Sequence, residues 1–443
     1  MSAHWPVREI LRIVGPVALA RLGIIGMAVS DVVVVGQLAP DELPHQALAL
    51  APLSVLVVTG VGLLTGVQVL AARALGAGDP QAAGAAFKRG MILALGAGGL
   101  AALILLLAGG SIFSLLGVAP DLAAPSGEVM RVLALSAPFQ LAYIAQSFFM
   151  EAIKKPVAAS VIMWLGNGVN LGLNLLWVPD HGAIGSAWAT LGARLFLCAA
   201  LGWAMWRLKD RARFGLDRFS AGPGPGYGAM LRVGAAAALS QAAESGAFAA
   251  MTVIAGRLGA EAVAAYQILL NIAALVFMIA MGVASAGAVL TAEAMGRGAS
   301  VSAARAGWTA LGLNTLAMLV FAIILLAFPN LIARGFTADL ATVGLIASVM
   351  WITALMFAPD GAQVVTAACL RGRGDNWFPT ASHVLAYACV MPPLGFWLGE
   401  AQGLGVAGLF WAIVIASLIS AGVLVARWST LTRDARVFSP SGF

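Results

Sequence analysis

The sequence predicts an all-α integral membrane protein of twelve transmembrane helices, arranged as two pseudo-symmetric six-helix lobes around a central cavity. Three observations carry that expectation. Of the 443 residues, 61% are hydrophobic and only 10% are charged, with a mean hydropathy of +0.95; an ordinary soluble domain is about half apolar and about a quarter charged. The apolar residues fall in long runs of about 20 or more, the length a helix needs to cross hydrocarbon with its backbone groups bonded internally. The second half of the chain repeats the first at an offset of about 220 residues, a sign of duplicated architecture. So much apolar surface cannot be hidden in one soluble core, which excludes a cytosolic enzyme and an extracellular disulfide scaffold.

Taken in chain order, the apolar runs span residues 10–35, 46–72, 89–112, 129–151, 157–178 and 183–206, then 229–256, 262–291, 306–328, 340–368, 378–399 and 404–427. None alternates with a period of two, which argues against an outer-membrane barrel. The one long polar interval, Arg207 to Gly228, contains RLKDRARFGLDRF followed by AGPGPGYG and falls almost midway. It divides the chain into an N-terminal six-helix lobe (1–206), a cytoplasmic linker (207–228) and a C-terminal six-helix lobe (229–443). The short polar stretch Met1–Glu9 is followed by no small-residue cleavage site, so no cleaved signal peptide is expected.

The net charge is +6, from 25 basic and 19 acidic residues. With the N-terminus inside, Arg131, Arg257 and Arg334 fall on the outer side and Arg21 and Arg194 within spans, while every other Lys and Arg falls inside. That positive-inside bias places both termini in the cytoplasm and explains the basic balance by topology rather than by nucleic acid. Cys198, Cys369 and Cys389 lie in apolar stretches without metal-ligand spacing and read as core.

The repeat is local as well as global. VVVVGQLAPDELPHQALAL (32–50) matches TVIAGRLGAEAVAAYQILL (252–270), and GVGLLTGVQVLAARALGAGD (60–79) matches MGVASAGAVLTAEAMGRGAS (281–300), setting Gly36 on Gly256, Gly62 on Gly282 and Gly76 on Gly296. A duplicated six-helix unit is a transporter signature, with substrate and ion sites near the bilayer midplane. The abundant glycines serve close helix packing.

Acids inside the spans are the strongest chemical signal, because a carboxylate at mid-membrane costs about 2.5–3.5 kcal/mol on insertion scales. Asp31 lies deep in the first span, Glu244 in the seventh and Asp360 in the tenth, with Asp375 just beyond the tenth; loop acids such as Glu42, Asp79, Asp210 and Asp339 read as solvated. A buried carboxylate without a partner takes up a proton or holds a cation. For Asp31 a buried ion pair with Arg21 or Arg194 is the competing reading. Asn167, Asn170 and Asn174 lie in the fifth span, the last two one helical turn apart. Their amides with a carboxylate suit a hard cation such as Na⁺, or simply bond helices together.

The chain carries no phosphate-binding G-x-x-x-x-G-K-[ST] loop and no H-E-x-x-H or G-x-S-x-G constellation, so neither ATP hydrolysis nor intramembrane hydrolysis is expected. No cofactor is expected beyond a coupling ion, Na⁺ or H⁺.

The sequence resembles the multidrug and toxic compound extrusion (MATE) family, most closely its NorM-type branch. The resemblance rests on GPVALARLGIIGMAVSDVVVVGQLA in the first span, GLLTGVQVLAARALGAGD after the second, ESGAFAAMTVIAGRLGAEAVAAYQILLNIAALVFMIAMGV across the seventh and eighth, and DGAQVVTAACLRGRGDNWFP closing the tenth. It implies export of amphipathic, mostly cationic organic compounds in exchange for Na⁺ or H⁺ by alternating access, in a bacterial-type inner membrane. Asp31 matches the family's first-helix carboxylate, with Asn170, Asn174 and Thr190 around it. Glu244 matches the seventh-helix glutamate, and Asp360 and Asp375 match acids in and after the tenth helix, so that the three would form a C-lobe site. Na⁺ would accordingly bind at Glu244 and Asp375 or at Asp31, Asn170 and Asn174. The expected partners are organic cations or drugs, the coupling ion and membrane lipids, with the chain acting as a monomer and not as an enzyme. The first-half counterpart of LRGRGDNWFP is MEAIKKP (150–156), which carries Glu151, and the N-lobe site has one carboxylate where some relatives have two. A lipid-linked oligosaccharide flippase of the same superfamily would need several cavity arginines, and only Arg21 and Arg194 are available. An ion channel would show a pore-lining polar ring, which the spans lack.

Overall fold

A computed structural model describes residues 7–109, 111–115, 120–218, 222–336 and 339–437, without the side chains of residues 114, 115, 120, 260, 341 and 434–437. Met1–Pro6, linker residues 219–221 and the side chains of Asp434 and Arg436 therefore lie outside the described residues. Within them all regular structure is helical. The first half contains α1 (Val7–Leu38), α2 (Leu43–Gly76), α3 (Pro80–Ala108), the short α4 (Ser111–Leu115), α5 (Pro120–Ala134), α6 (Ala137–Ala152) and α7 (Val157–Trp206). The second contains α8 (Tyr227–Arg257), α9 (Ala260–Gly296), α10 (Ser300–Ala327), the short α11 (Pro329–Arg334), α12 (Leu340–Arg373), α13 (Trp377–His383), α14 (Met391–Phe396) and α15 (Gly405–Val437).

Ten helical segments among the described residues are long and apolar enough to span a membrane. One of them, α7, runs 50 residues but bends at Gly182, whose φ of 54° and ψ of −134° leave the helical region and split it into two arms. The 31-residue α8 falls short on hydropathy because it carries Ser240, Gln241 and Glu244. With both arms of α7 and with α8 counted, the twelve expected spans are present.

Local chemistry sets where these helices start and stop. Asp79 caps α3, accepting from the Ala82 amide at 2.8 Å, and Asp339 caps α12, accepting from the Thr342 amide at 2.9 Å. The run read as one span over 129–151 is divided at Leu135–Ser136 into α5 and α6. The run over 378–399 is also irregular: π-helical turns cover Val384–Val390 and Trp397–Ala401 on either side of α14. Pro392 and Pro393 lack the amide hydrogens that regular α-helical bonding would use there.

Packing divides the chain into two compact units, Leu19–Ala238 and Met1–Ala18 with Leu239–Phe443. The boundary therefore falls inside α1 and α8, whereas the sequence reading draws it at the linker. The physical reason is a pair of close approaches that obey the internal repeat. A Cβ on Gly62 would lie 2.6 Å from Cα of Ala238, and one on Gly282 would lie 3.2 Å from Cβ of Ala18. Glycine lets each helix start nest that closely on its neighbour. Linker residues dock as well: Lys88 Nζ donates to the carbonyls of Gly215 and Arg218, at 2.7 and 2.5 Å, and the Arg89 guanidinium donates to those of Pro225 and Gly222, at 2.7 Å each.

In the second unit a core runs through Met251, Tyr266, Leu269, Phe357, Tyr387 and Phe410, all within 3% of fully buried. Large apolar side chains such as Leu107, Leu176, Val253 and Ile323 are exposed by more than 60%, a surface suited to lipid rather than water.

Candidate functional site

Asp31 lies in α1 and is 4% exposed. Its Oδ1 accepts from Nδ2 of Asn170 at 2.9 Å and from Nδ2 of Asn174 at 2.6 Å, while Oδ2 faces the Thr190 hydroxyl at 2.9 Å. The Ser30 hydroxyl donates to Oδ1 of Asn170 at 3.0 Å. The bend at Gly182 makes this arrangement possible, because Asn170 and Asn174 sit on the first arm of α7 and Thr190 on the second. A Cβ at Gly182 would strike the Glu42 carboxylate, which accepts the Ala183 amide at 2.6 Å. Glu42 is thus the cap of the second arm and not the solvated loop acid expected from sequence. The amide nitrogens, not the oxygens, face the carboxylate, and Oδ1 of Asn174 is buried without a hydrogen-bond partner among the described residues.

Among the described residues Asp31 forms no ion pair with Arg21 or Arg194. Arg21 NH2 lies 3.7 Å from Oε1 of Glu151, with both side chains buried, and Arg194 NH1 donates to the Ser136 hydroxyl at 2.6 Å. Glu151 also accepts from Gln68 Nε2 at 2.6 Å and from the Ser147 hydroxyl at 3.2 Å. The departure at MEAIKKP is therefore a buried structural pair.

In the second unit Glu244 and Asp360 line one cavity of about 290 Å³, near the lower end of small-molecule sites. Glu244 and Phe248 come from α8. Gln267, Leu270, Asn271, Ala273, Ala274 and Phe277 come from α9, and Met356 joins Asp360 from α12. Asp360 is 7% exposed, and its Oδ1 receives the Tyr387 hydroxyl at 3.2 Å, the Ser417 hydroxyl at 3.3 Å and Gln363 Nε2 at 3.5 Å. Among the described residues Glu244 has neither a hydrogen bond nor an ion pair. The walls are aromatic and soft, from Phe248, Phe277 and Met356, a surface that attracts organic cations.

Asp375 does not join this cavity. It follows the left-handed Gly374 (φ 107°) that ends α12, and its Oδ2 accepts from Nε of Arg427 at 2.9 Å. Nor do three His, Cys, Asp or Glu side chains converge on any one point among the described residues. Tyr387 and Ser417, the bonding partners of Asp360, were not singled out from the sequence. The signals available were Ser417 and Ser420 three apart in an otherwise apolar span, and Gln267 and Asn271 four apart on one face of α9.

The MatE family profile matches residues 16–176 and 236–397. The chain belongs to the MATE family. It is 39% identical over 431 residues to the "Probable multidrug resistance protein NorM" of Caulobacter vibrioides, covering 96% of this chain and 91% of that one. It is 32% identical over 445 residues to the "Multidrug resistance protein NorM" of Burkholderia vietnamiensis, covering 97% and 95%. Among solved structures, "MATE in the bent conformation" aligns with a TM-score of 0.87 at 21% identity over 98% of both chains. The outward-facing structure of a multidrug resistance MATE family transporter of the MOP superfamily gives the same score and identity over 97% of both. At that identity the structures establish the MATE fold, and the family places the chain among membrane transporters rather than enzymes. The matched MATE regions include Asp31, Asn170, Asn174, Glu244, Asp360 and Asp375, while Thr190 falls between them.

Proposed function

We propose that this MATE protein is a multidrug efflux antiporter of a bacterial inner membrane, exporting amphipathic organic cations in exchange for Na⁺ or H⁺ by alternating access. The observation that carries the reading is the cavity in which Glu244, free of any bond, and Asp360 face Phe248, Phe277 and Met356. A carboxylate with no hydrogen-bond or ion-pair partner among the described residues is open to an external cation, and the aromatic walls add attraction for a greasy one. The proton or Na⁺ and the organic cation then compete for the same negative charge, so loading one favours release of the other. One charge crossing 100 mV is worth about 2.3 kcal/mol, enough to sustain a concentration ratio of some tens-fold. Asp31, with Asn170, Asn174 and Thr190, is the second coupling candidate, and Asp375 supports the C-terminal half through Arg427. The positive-inside bias supports cytoplasmic termini, and the two sets of six spans support a monomer as the working unit. The names of the relatives agree with multidrug export.

Ethidium efflux from proteoliposomes, driven separately by a Na⁺ gradient and a pH gradient, tests this. Efflux that responds to either gradient and disappears in Glu244→Gln supports the reading. Loss in Asp31→Asn alone moves coupling to the first unit, and efflux driven by neither gradient overturns antiport.

A further inference from the structure

His383 closes α13 and is 3% exposed, yet among the described residues neither of its ring nitrogens has a hydrogen-bond partner. An imidazole needs a partner at each nitrogen when it is buried, and a buried polar atom left alone usually marks an ordered water or ion. On the same helix face, Thr380 stands three residues before His383 and Tyr387 four after it, exposed by 2% and 0%.

Each neighbour belongs to a separate polar cluster. On one side the Tyr387 hydroxyl lies 3.2 Å from Oδ1 of Asp360 and 3.1 Å from the Ser417 hydroxyl, at the cavity shared with Glu244. On the other side Arg371 NH2 donates to the Ser240 hydroxyl at 2.7 Å, and Ser240 donates to Thr380 at 3.2 Å. Nε of Arg371 and Oδ1 of Asn376 are also buried without hydrogen-bond partners among the described residues. In the chain His383 lies between Thr380 of one cluster and Tyr387 of the other. Its ring meets that of Tyr387 edge-on with centroids 5.9 Å apart. The π-helical turn starts at Val384, immediately after it, and such turns recur at functional sites.

We infer that His383 is the middle station of a hydrated polar passage that conducts protons between Asp360 and the Arg371 end of α12. The inference rests on the antiport reading and adds to it a route for the coupling proton. The protonated Asp360 carboxyl gives its proton through a water to one ring nitrogen, leaving a carboxylate and an imidazolium. The opposite nitrogen then gives a proton to a water on the Arg371 side, restoring a neutral ring. The charged and titratable groups on the elements around His383 include Tyr387 on its own segment, Asp360, Cys369, Arg371 and Arg373 on α12, Glu244 on α8 and Arg427 on α15. Ser417 and Ser420 of α15 and Ser240 of α8 supply hydroxyls.

Two readouts test it on the full-length protein. Hydroxyl-radical footprinting oxidises buried side chains only where water sits beside them. His383 and Tyr387 should be labelled, and the fully buried Phe410 should not. In proteoliposomes, His383→Phe should slow pH-driven ethidium efflux at least ten-fold while binding ethidium within two-fold of the native affinity. His383→Gln, which keeps hydrogen bonds but cannot carry a proton, should share the transport loss and unfold at the native temperature. An unlabelled His383, a His383→Phe protein exporting at the native rate, or a native protein driven by Na⁺ alone each overturns the passage while leaving antiport intact. A native protein driven by neither gradient removes antiport, and the passage with it.

Discussion

Asp375 and Arg427 form an ion pair at 2.9 Å just past the end of α12, and Lys155 and Asp210 form one of opposite polarity at 2.9 Å just past the end of α6. Lys155 occupies the first-half position that corresponds to Asp375 in the repeat. The duplicated fold keeps a charge pair at this point and tolerates either polarity, which is how a structural stitch behaves. If Asp375 is only such a stitch, its charge is not needed for cation binding, and a comparison with Glu244 tests that.

Glu244 and Asp375 should therefore separate sharply. Glu244→Gln loses no bond and should abolish gradient-driven ethidium efflux without lowering the unfolding temperature. Asp375→Asn breaks a partly exposed pair worth about 0.2–1 kcal/mol and should keep most of the transport. Equal loss of efflux in both would reinstate Asp375 as a coupling residue.

Asn174→Ala removes the 2.6 Å bond to Asp31 and leaves a buried carboxylate oxygen with one donor fewer, a cost of about 1–3 kcal/mol. In an Asp31→Asn background the same change should cost clearly less, because the two residues act on one bond. Thermal unfolding of the two single variants and the double variant measures the coupling, and simple additivity would contradict the geometry.

The Arg21–Glu151 pair is structural and buried. Glu151→Gln strands Arg21 and should destabilise the protein by about 3–5 kcal/mol, whereas Arg21→Met with Glu151→Met should recover most of that loss. If the double replacement restores the fold but not transport, the pair has a role in export beyond packing.

Close packing gives a sharper contrast between glycines. A Cβ at Gly234 would sit 2.1 Å from the Leu63 carbonyl oxygen, while one at Gly96 meets nothing within 4 Å. Gly234→Ala should lower the unfolding temperature by several degrees. Gly96→Ala should hold or raise it, since alanine is favoured over glycine in a helix by roughly 0.5–1 kcal/mol.

Asp210 supplies a pH signature outside the spans. The Lys155 ammonium bonded to it holds its carboxyl below the usual carboxylate value, so the contribution of the pair is complete above the unfolded value of about 3.9. That contribution is lost as the pH falls through the lower folded value. Unfolding temperatures between pH 6 and pH 3 should fall less steeply in Lys155→Met than in the native protein. An identical slope would show that the bond does not persist in solution.

The carboxylates were legible in the sequence because a charge within an apolar span stands out against its surroundings, and Asp31 with Asn170 and Asn174 assembled as the one-turn spacing suggested. Thr190 needed a resemblance to be found, since its approach to Asp31 depends on the bend at Gly182. The amide bonded by Glu42 and the arginine paired with Asp375 were not foreseen, for a common reason. Each acid sits near a span end, and only the fold reveals whether its partner there is water, a backbone amide or an arginine.

By itself the sequence determined the helical class, the twelve spans and the duplication, because hydrocarbon enforces helix length and leaves a period and a charge pattern that can be read locally. Tertiary structure alone decided which polar groups meet. Asp360 finds Tyr387 and Ser417, 27 and 57 residues away, Arg21 finds Glu151 rather than Asp31, and Thr380 and Tyr387, on either side of His383 in the chain, join two polar clusters. Those choices depend on helix rotation, on a bend at one glycine and on a π-helical turn, and each moves a side chain by ångströms without changing the hydropathy of the span that carries it.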